Sequence, residues 1–361
     1  MTTLPVEWTR DELLASHPVA EPLFAGGIRC HGGFDESGRY VSPRTRNRWT
    51  AIEAWQAQHA EQFGTPLLDI ALDAWPEAYP NVEQARFLLR SGIPEPIISV
   101  LTRIGTVEGF GAMIRYSLIP DFQACFEEEV RGTALTHLDN GLYEAHARDE
   151  AGYGDEGGHK QMWFAARDVA FESPVTEDQT EVMLQRMGIT TASGGRGPML
   201  PEPMFDDIDP NLEQLIARMS SLLLIEISAH HIFAWAEEVL ADVDLVAGDG
   251  EASRLVSYIR ADEAPHVAYL KTVLSEMRDR TFVTSSGKCR AGAEVVGTLW
   301  ERAKGESLGV RREQNLRLTL REVEHAVAGH PRRDDVLEEF HSLGSIRPSP
   351  DGGWMPVAAA S

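Results

Sequence analysis

The same short phrase occurs twice in this chain, as Asp155-Glu156-Gly157-Gly158-His159 and as Asp262-Glu263-Ala264-Pro265-His266. Both copies read D-E-x-x-H, and both lie in segments with helical sequence patterns. Residues three apart lie on one face of a helix, so the Glu and His of each phrase can ligate one metal ion from one side. Two such helices facing each other build a dinuclear carboxylate site in a four-helix bundle, which also needs one Glu from each of the other two helices. The two phrases therefore predict both a fold and a metal site.

Helical patterns dominate from Arg46 onward, so an all-α fold is predicted. Pro120 is a plausible first helical residue, because its fixed φ suits the start of a helix. A Gly- and Pro-rich loop over 191–210 separates two pairs of long helices. Before them, two short strands around a turn at Asp35 to Gly38 predict a hairpin arm. The four long helices are predicted over 120–152, 155–172, 211–240 and 251–278.

These patterns divide the chain into four parts. The first is an N-terminal segment with the hairpin arm and short helices packed on the bundle (1–109). The second is the di-metal four-helix bundle (110–280). The others are additional C-terminal helices (281–345) and a loose tail (346–361).

Composition excludes several classes of function. The 361 residues carry 56 acidic and 33 basic side chains, a net charge of −23, which disfavours nucleic acids and anionic membrane surfaces as partners. The sequence predicts no membrane span and no signal peptide. The three scattered cysteines do not form a disulfide framework. A cytoplasmic protein is therefore expected.

Glu226 is the first further metal ligand that the sequence predicts. It lies in the aliphatic run Leu222 to Ala229, between the two phrases. A buried carboxylate is costly unless it is paired or bound to metal, so an acid in this run indicates a ligand.

The remaining acid is predicted in the run Glu127, Glu128 and Glu129. Glu129 is preferred because it shares a helix face with apolar residues and because Gly132, three residues on, leaves room for a metal cluster. Glu128 stays open as an alternative ligand.

Together these residues resemble the ligand set of the ferritin-like di-iron carboxylate superfamily. The resemblance covers roughly residues 110–280 and implies a ferritin-like four-helix bundle with additional N- and C-terminal helices. It implies terminal ligands on each iron and two bridging carboxylates. The implied pairs are Glu129 with His159 on one iron, Glu226 with His266 on the other, and Glu156 with Glu263 as bridges.

Residues beside the ligands carry secondary expectations. Asp155 and Asp262 precede the ligating acids, and each is predicted to accept the ring N–H of a histidine from the other helix pair. His230 shares the face of Glu226 and is an additional candidate ligand. A weaker resemblance to aminoarene N-oxygenases is limited by Ile259, which stands where that family has an extra His ligand.

Helix-weakening residues separate Glu from His in both phrases. Gly157 and Gly158 lower helix propensity, and Pro265 removes a backbone donor. In the first phrase they indicate either a kink at the site or a loop that enters the helix next to Glu156.

The resemblance implies an enzyme, a di-iron oxygenase or oxidase that uses O2 to oxidise a small, partly apolar organic substrate. Oxygen-rich ligands with imidazole suit two iron ions, with manganese as the alternative. No residue beyond the metal ligands is predicted to be catalytic. Electrons are expected from a separate reductase, since no nucleotide-binding Gly motif appears, and the sequence leaves a homodimer open. The predicted apolar lining is Phe122, Phe126, Leu223 and Phe233.

Three other functions compete with this prediction. An iron storage protein would use chains of about half this length. A manganese catalase-like enzyme would use a similar ligand set. A metal-free helical interaction protein would pair its buried acids with arginines.

Overall fold

The computed structural model describes residues 6–70, 75–172, 176–186 and 203–357, and these residues are mostly helical. An all-α fold class is therefore confirmed at this level, with three small sheets added. The helices of the N-terminal half are α1 (Arg10–Leu13), α2 (Arg48–Phe63), α3 (Val82–Arg90), α4 (Glu95–Gly111), α5 (Phe122–Cys125), α6 (Tyr143–Ala151) and α7 (His159–Phe171). Those of the C-terminal half are α8 (Glu177–Arg186), α9 (Pro210–Leu240), α10 (Glu251–Arg278), α11 (Gly292–Lys304), α12 (Arg312–Ala326) and α13 (Arg333–Ser342).

Short 3-10 or π-type turns extend several of these helices. Within each small sheet of the described residues, the strands pair antiparallel. The turns are Ala112–Tyr116, Ala134–His137, Leu138–Leu142 and Gly305–Arg311. The strands are β1 (Glu21–Ala25), β2 (Ile28–Phe34), β3 (Tyr40–Val41), β4 (Thr281–Val283), β5 (Cys289–Ala291), β6 (Ile346–Pro348) and β7 (Trp354–Pro356).

The predicted hairpin arm is confirmed. Strands β2 and β3 pair antiparallel around the turn at Asp35 to Gly38, and β1 adds a third strand. The tail that was expected to be loose forms a small hairpin through the pairing of β6 with β7.

Four helical elements pack around the centre of the molecule. Helix α9 packs along α10, α4 packs along α7, and α7 also contacts α10. Close approach of α4 to α7 depends on glycine, because an added Cβ at Gly105 would lie 2.8 Å from the Phe164 ring and one at Gly109 would lie 2.8 Å from the Lys160 side chain. The long helix α9 begins at Pro210 with Asp209 as its N-cap, whose side chain accepts from Asn211 and Leu212.

Two hydrophobic clusters meet in the middle of these helices. On α9, Ile227 belongs to one cluster and Ala229 to the other. On α10, Tyr269 and Ile259 divide in the same way. A group of buried acids and histidines lies at the boundary between the two clusters.

One predicted helix is wrong. The segment 120–152 is not a single helix but α5, an irregular stretch, two short turns and α6. Gly132 and Gly141 break it, because they have φ values of +70° and +135° that a right-handed helix does not allow. The predicted segment boundary at 109–110 falls inside α4, so this helix belongs with the central helices rather than with the N-terminal segment.

The first D-E-x-x-H phrase is a loop rather than a helix. Helix α6 ends at Ala151, and α7 begins only at His159, so Asp155 to Gly158 precede the helix. The second phrase is helical throughout, since α10 continues through Pro265. Most of the Gly- and Pro-rich loop predicted over 191–210 lies outside the described residues, which resume at 203.

Two helical segments of the described chain are long and apolar enough to cross a membrane by length and composition alone. They are Glu95–Tyr116 and Pro210–Leu240, about half buried within the molecule. The sequence pattern predicted no membrane span. Core helices pass the same test, so this is weak evidence for a membrane.

Candidate metal centre

Seven buried acids and histidines converge on the boundary between the two hydrophobic clusters. The central helices α4, α7, α9 and α10 each contribute at least one, and α6 contributes two. They are Glu108 from α4, His146 and Glu150 from α6, His159 from α7, Glu226 from α9, and Glu263 and His266 from α10.

The first group of donors surrounds the ring of His159. Its Nδ1 lies 2.7 Å from Glu263 Oε1, 3.3 Å from Glu150 Oε1 and 3.6 Å from Glu108 Oε2. Ligand atoms of these four residues all lie within 4.8 Å of one another, so they could hold one metal ion.

The second group lies beside the first. His146 Nε2 is 3.4 Å from Glu226 Oε1 and 3.7 Å from Glu150 Oε1. His266 Nδ1 is 3.5 Å from Glu150 Oε1 and 3.9 Å from Glu226 Oε2. These four residues also present ligand atoms within 4.8 Å of one another and could hold an ion.

Two carboxylates connect the groups. Glu150 belongs to both. Glu263 directs Oε1 to His159 and Oε2 to His266, each at 2.7 Å. Glu263 contacts one group with each of its oxygens, and Glu150 lies near both groups through one oxygen. Both acids are therefore suited to bridge two ions.

Several of these polar atoms have no hydrogen-bond partner among the described residues. They include His146 Nε2 and Glu150 Oε2, whereas His159 Nδ1 and Glu263 Oε1 lie 2.7 Å apart. Buried polar atoms are nearly always satisfied, because leaving one unpaired costs about 1–3 kcal/mol. Unpaired ligand atoms at His146 and Glu150 therefore fit bound metal ions.

The pKa shifts of the carboxyl groups in the cluster also favour bound cations. Burial raises the pKa of Glu108 and Glu226 well above its ordinary value, and the neighbouring carboxylates raise it further. Burial opposes ionisation of Glu263 too, but His159 and His266 outweigh it and hold its pKa well below the ordinary value. Four carboxylates this close need compensating positive charge, which divalent ions supply.

The histidines divide into two kinds. Burial lowers the pKa of His146 well below its ordinary value, and His266 lowers it further, which keeps the ring neutral as a metal ligand requires. Burial also opposes the charged form of His266, but Glu263 and Asp149 outweigh it and raise its pKa to about 9. A metal ion bound at His266 would therefore displace a proton.

Asp149 supports His266 from the far side of its ring. Its Oδ2 lies 2.9 Å from His266 Nε2, and the carboxylate is completely buried. Arg44 and Arg48 neutralise it, through an Arg44 Nε to Oδ1 bond of 2.8 Å and an Arg48 Nη2 to Oδ2 bond of 2.9 Å. A carboxylate on the remote nitrogen fixes the ring orientation and leaves Nδ1 facing the donors.

Asp262 has the same place behind His159, but with different partners. Its Oδ2 lies 3.7 Å from His159 Nε2 and 2.8 Å from His31 Nε2. Tyr40 also donates its hydroxyl proton to this oxygen, at 2.8 Å. The N-terminal hairpin β2–β3 therefore contributes the buried His31 and the half-buried Tyr40 to the surroundings of the cluster.

The same hairpin holds the loop between α6 and α7. The Gly157 amide donates to the Arg29 carbonyl oxygen at 2.8 Å, and the His31 amide donates to the Gly157 carbonyl oxygen at 3.1 Å. Within the loop, Tyr153 and Glu156 exchange two backbone hydrogen bonds. These contacts fix the chain immediately before His159.

The structure brings four predicted ligands together: His159, Glu226, Glu263 and His266. Burial of Glu226, predicted from its aliphatic run, is confirmed at 4% exposure. Asp262 faces a histidine of the other helix pair, as predicted.

Two predicted ligands, Glu129 and Glu156, lie outside the cluster, which corrects their predicted placement. Glu129 lies on an exposed loop, where it pairs with Arg131 at 3.2 Å, because the helix that would have directed it inward does not form. Glu156 lies in the loop before α7, where Arg29 Nη2 binds its Oε1 at 3.2 Å. Asp155 lies beside it, with its side chain 80% exposed and paired with Arg29.

The alternative ligands are also outside the cluster. Glu128 accepts from the Thr281 amide and hydroxyl, and so anchors the start of β4. His230 is exposed on α9, near Arg260 and Glu237. Although His230 lies one helical turn after Glu226 on α9, its side chain is exposed and does not belong to the cluster.

Three residues of the cluster were not predicted, although the sequence held a signal for each. Glu108 lies in the apolar stretch Ile97 to Phe110, the same criterion that identified Glu226. Glu150 follows Asp149 in a D-E-A tripeptide that Asp262-Glu263-Ala264 repeats. His146 precedes Glu150 by four residues and so shares its helix face.

Of the residues predicted to line a substrate site, Leu223 and Phe233 lie buried on α9 to either side of Glu226. Phe122 and Phe126 pack in the core near Phe282, whose ring is 4.7 Å from that of Phe126.

The chain matches no known protein-family model, no curated protein and no solved structure.

Proposed function

We propose that this chain is a ferritin-like di-iron oxygenase or oxidase, with a ligand set that differs from the one its sequence predicted. The observation that carries the proposal is the pair of adjacent donor groups that share Glu150 and that Glu263 connects by contacting both His159 and His266. Glu108 and His159 would complete one iron position, and His146, Glu226 and His266 the other.

The distribution of donors over the helices supports the superfamily assignment. Its members take one Glu from each of two helices and a Glu with a His from each of the other two. Here α4 and α9 each supply one Glu, and α10 supplies Glu263 with His266. The remaining pair is Glu150 and His159, which the loop between α6 and α7 separates.

Charge balance supports a pair of divalent ions. The four carboxylates of the cluster carry four negative charges when ionised, which two such ions neutralise. Asp149 does not enter this balance, because Arg44 and Arg48 already compensate it. A cluster of oxygen donors with imidazoles suits iron and also manganese, and it disfavours thiophilic ions.

When bound, the irons would supply electrons and open coordination positions for the reduction of O2. The protein's own residues orient and shield the site. Asp149 and Asp262 hold the rings of His266 and His159, and the two hydrophobic clusters keep bulk water away. Electrons for turnover would come from a separate reductase.

A surface cleft lies beside the loop that precedes His159, and none of the seven cluster residues lines it. It has a volume of about 440 Å³ and follows the loop that connects Glu150 to His159. Ile28, Arg29, Tyr153 and Gln161 contribute to its walls. This mixture of apolar and polar groups suits a small, partly apolar organic molecule.

The first experiment is metal analysis of the protein produced with iron, followed by optical spectra of the reduced protein before and after exposure to O2. The proposal expects about two irons per chain and a new absorption on oxygenation, followed by O2 consumption with some members of a panel of small organic substrates. Glu129→Ala is the matched control for Glu226→Ala, because both remove one Glu but only Glu226 lies in the cluster.

The alternatives predict other outcomes of the same work. Two manganese ions with rapid peroxide disproportionation would replace the proposal by a catalase-like enzyme, and a large multi-subunit cage in gel filtration would replace it by iron storage. Absence of stoichiometric metal after reconstitution would overturn it and leave a helical interaction protein.

A further inference from the structure

The two donor groups differ in the number of histidines. Around the first position there are one imidazole, His159, and three carboxylates. Around the second there are two imidazoles, His146 and His266, with Glu150 and Glu226. His146 has no counterpart in the first group, so it is the source of the difference.

The position of His146 is closely defined. Its side chain is completely buried, and its ring stacks on that of His266 with centroids 3.9 Å apart and planes 12° apart. Because the rings are stacked, His146 Nε2 and His266 Nδ1 both lie near Glu150 and Glu226. His146 Nε2 faces Glu226 and Glu150 and has no hydrogen-bond partner among the described residues.

Tyr269 holds the opposite side of the His146 ring. Its hydroxyl oxygen lies 3.0 Å from His146 Nδ1, and the tyrosine is completely buried on α10, three residues after His266. When Nδ1 carries the proton, it donates to the Tyr269 oxygen, and Nε2 keeps a free lone pair directed at the cluster. A partner on the remote nitrogen is a common way to fix the tautomer of a ligating histidine.

Imidazole and carboxylate donors favour different ions. Imidazole suits the later first-row ions such as iron, cobalt and nickel, whereas oxygen donors suit manganese and magnesium. An ion that prefers nitrogen therefore gains more at the position with two histidines than at the position with one.

We infer that the two ion positions are unequal, and that the position bordered by His146 and His266 binds a divalent transition-metal ion first. This inference rests on the proposed two-ion centre. It adds that Tyr269 is a positioning residue for that position and that the position bordered by Glu108 and His159 fills second.

The test is a titration of the metal-free, full-length protein with Co²⁺, followed by the visible absorption of the bound ion. The wild-type protein should bind two ions in two resolved steps. His146→Ala should weaken the first step by more than about 100-fold, beyond the roughly 10–100-fold typical of losing a supporting hydrogen bond. Tyr269→Phe should weaken the same step by about 10–100-fold and leave the second unchanged.

Two further variants assign the steps. Glu108→Ala should abolish the second step and preserve the first, because Glu108 belongs only to the one-histidine group. His230→Gln is the control for loss of a histidine on a neighbouring helix, and it should change neither step, since His230 is exposed outside the cluster. Circular dichroism verifies folding, and Tyr269→Phe carries the test if His146→Ala does not fold.

The outcomes separate this inference from the function on which it rests. Two ions bound with equal affinity, or a first step that is unaffected in both His146→Ala and Tyr269→Phe, would overturn the inference and leave the two-ion centre standing. A wild-type protein that binds no Co²⁺ would overturn both.

Discussion

The two halves of the candidate metal centre use the same tripeptide in different ways. In the continuous half, Asp262-Glu263-Ala264 lies within α10, and the helix carries on to His266, three residues after Glu263. In the split half, Asp149-Glu150-Ala151 ends α6, and the histidine arrives nine residues later as His159, the first residue of α7. Tyr153 stands at the position equivalent to His266, but its ring lies on the surface under Arg148.

The two halves place equivalent acids and histidines around the site, although the residues are spaced differently along the chain. Each acid of the pair Glu150 and Glu263 connects the two donor groups. Each preceding aspartate faces the histidine of the other half, Asp149 behind His266 and Asp262 behind His159. The loop in the split half changes the path of the chain and keeps the arrangement of side chains.

The largest expected effect comes from removing the shared acid of the split half. Glu150→Ala should abolish stoichiometric binding of both metal ions, because Glu150 belongs to both donor groups. Metal analysis of the reconstituted protein measures this directly. Glu156→Ala is the control, and it should retain both ions because Glu156 pairs with Arg29 in the loop. Metal loss in Glu156→Ala would restore the ligand that the sequence predicted.

The next effect tests how the two supporting aspartates differ. Asp149→Asn should lower the free energy of unfolding by about 3–5 kcal/mol, because it leaves Arg44 and Arg48 buried without their counter-charge. Chemical denaturation of the metal-free protein measures the change. Asp155→Asn, an exposed aspartate paired with Arg29, should change stability by less than about 1 kcal/mol. Equal effects in both variants would contradict this ion-pair account.

The path of the chain in the split half depends on a close contact of glycines. A Cβ at Gly158 would lie 2.2 Å from the Gly152 amide nitrogen and 2.7 Å from the Glu150 carbonyl oxygen, which are backbone atoms that cannot rotate away. Gly158→Ala should therefore destabilise the protein by about 3 kcal/mol, measured by thermal or chemical unfolding.

Gly154 provides the control for that variant. It lies in the same loop with φ of +65° and open space around an added Cβ. Gly154→Ala should cost only the strain of a left-handed residue, about 1–2 kcal/mol. A Gly158→Ala variant as stable as wild type would show that the split half tolerates a wider loop.

The smallest effect concerns support of His159 by the hairpin. Asp262→Asn should weaken the second, weaker Co²⁺ step by about 10–100-fold, because Asp262 orients His159 from behind its ring. Tyr40→Phe should produce a smaller weakening of the same step, since it removes only one bond to Asp262. Tyr258→Phe is the control, because Tyr258 stacks on Tyr40 without reaching Asp262. A Tyr40→Phe effect confined to the first step would contradict this assignment.

Prediction succeeded where local periodicity determines side-chain direction. Glu263 and His266 share a face of one uninterrupted helix, so their spacing alone places them together. Glu226 was found because a charged residue in an aliphatic run needs a partner. The hairpin around Asp35 to Gly38 was found from turn residues between short strands.

Prediction failed where one helix was assumed to continue. The pattern over 120–152 predicts a single helix that directs Glu129 inward, and the predicted bundle begins at 110, just after Glu108. The sequence also repeats a D-E-A tripeptide at 149–151 and 262–264. The positions of the acids in the structure follow this tripeptide more closely than the repeated D-E-x-x-H phrase. His159 lies in the cluster, whereas Glu156, the acid predicted beside it, lies in the loop with Arg29.

The sequence by itself indicated buried acids and histidines that could bind metal ions. Acids and histidines in apolar helical segments mark buried donors that need cations, because burial without compensation is costly wherever it occurs. Only the tertiary structure decided which acids share the centre, since Glu108, Glu150 and Glu226 meet through the packing of separate helices. It also brought His31 to Asp262 across 231 positions of sequence, a contact that no local pattern encodes because it depends on how the hairpin docks.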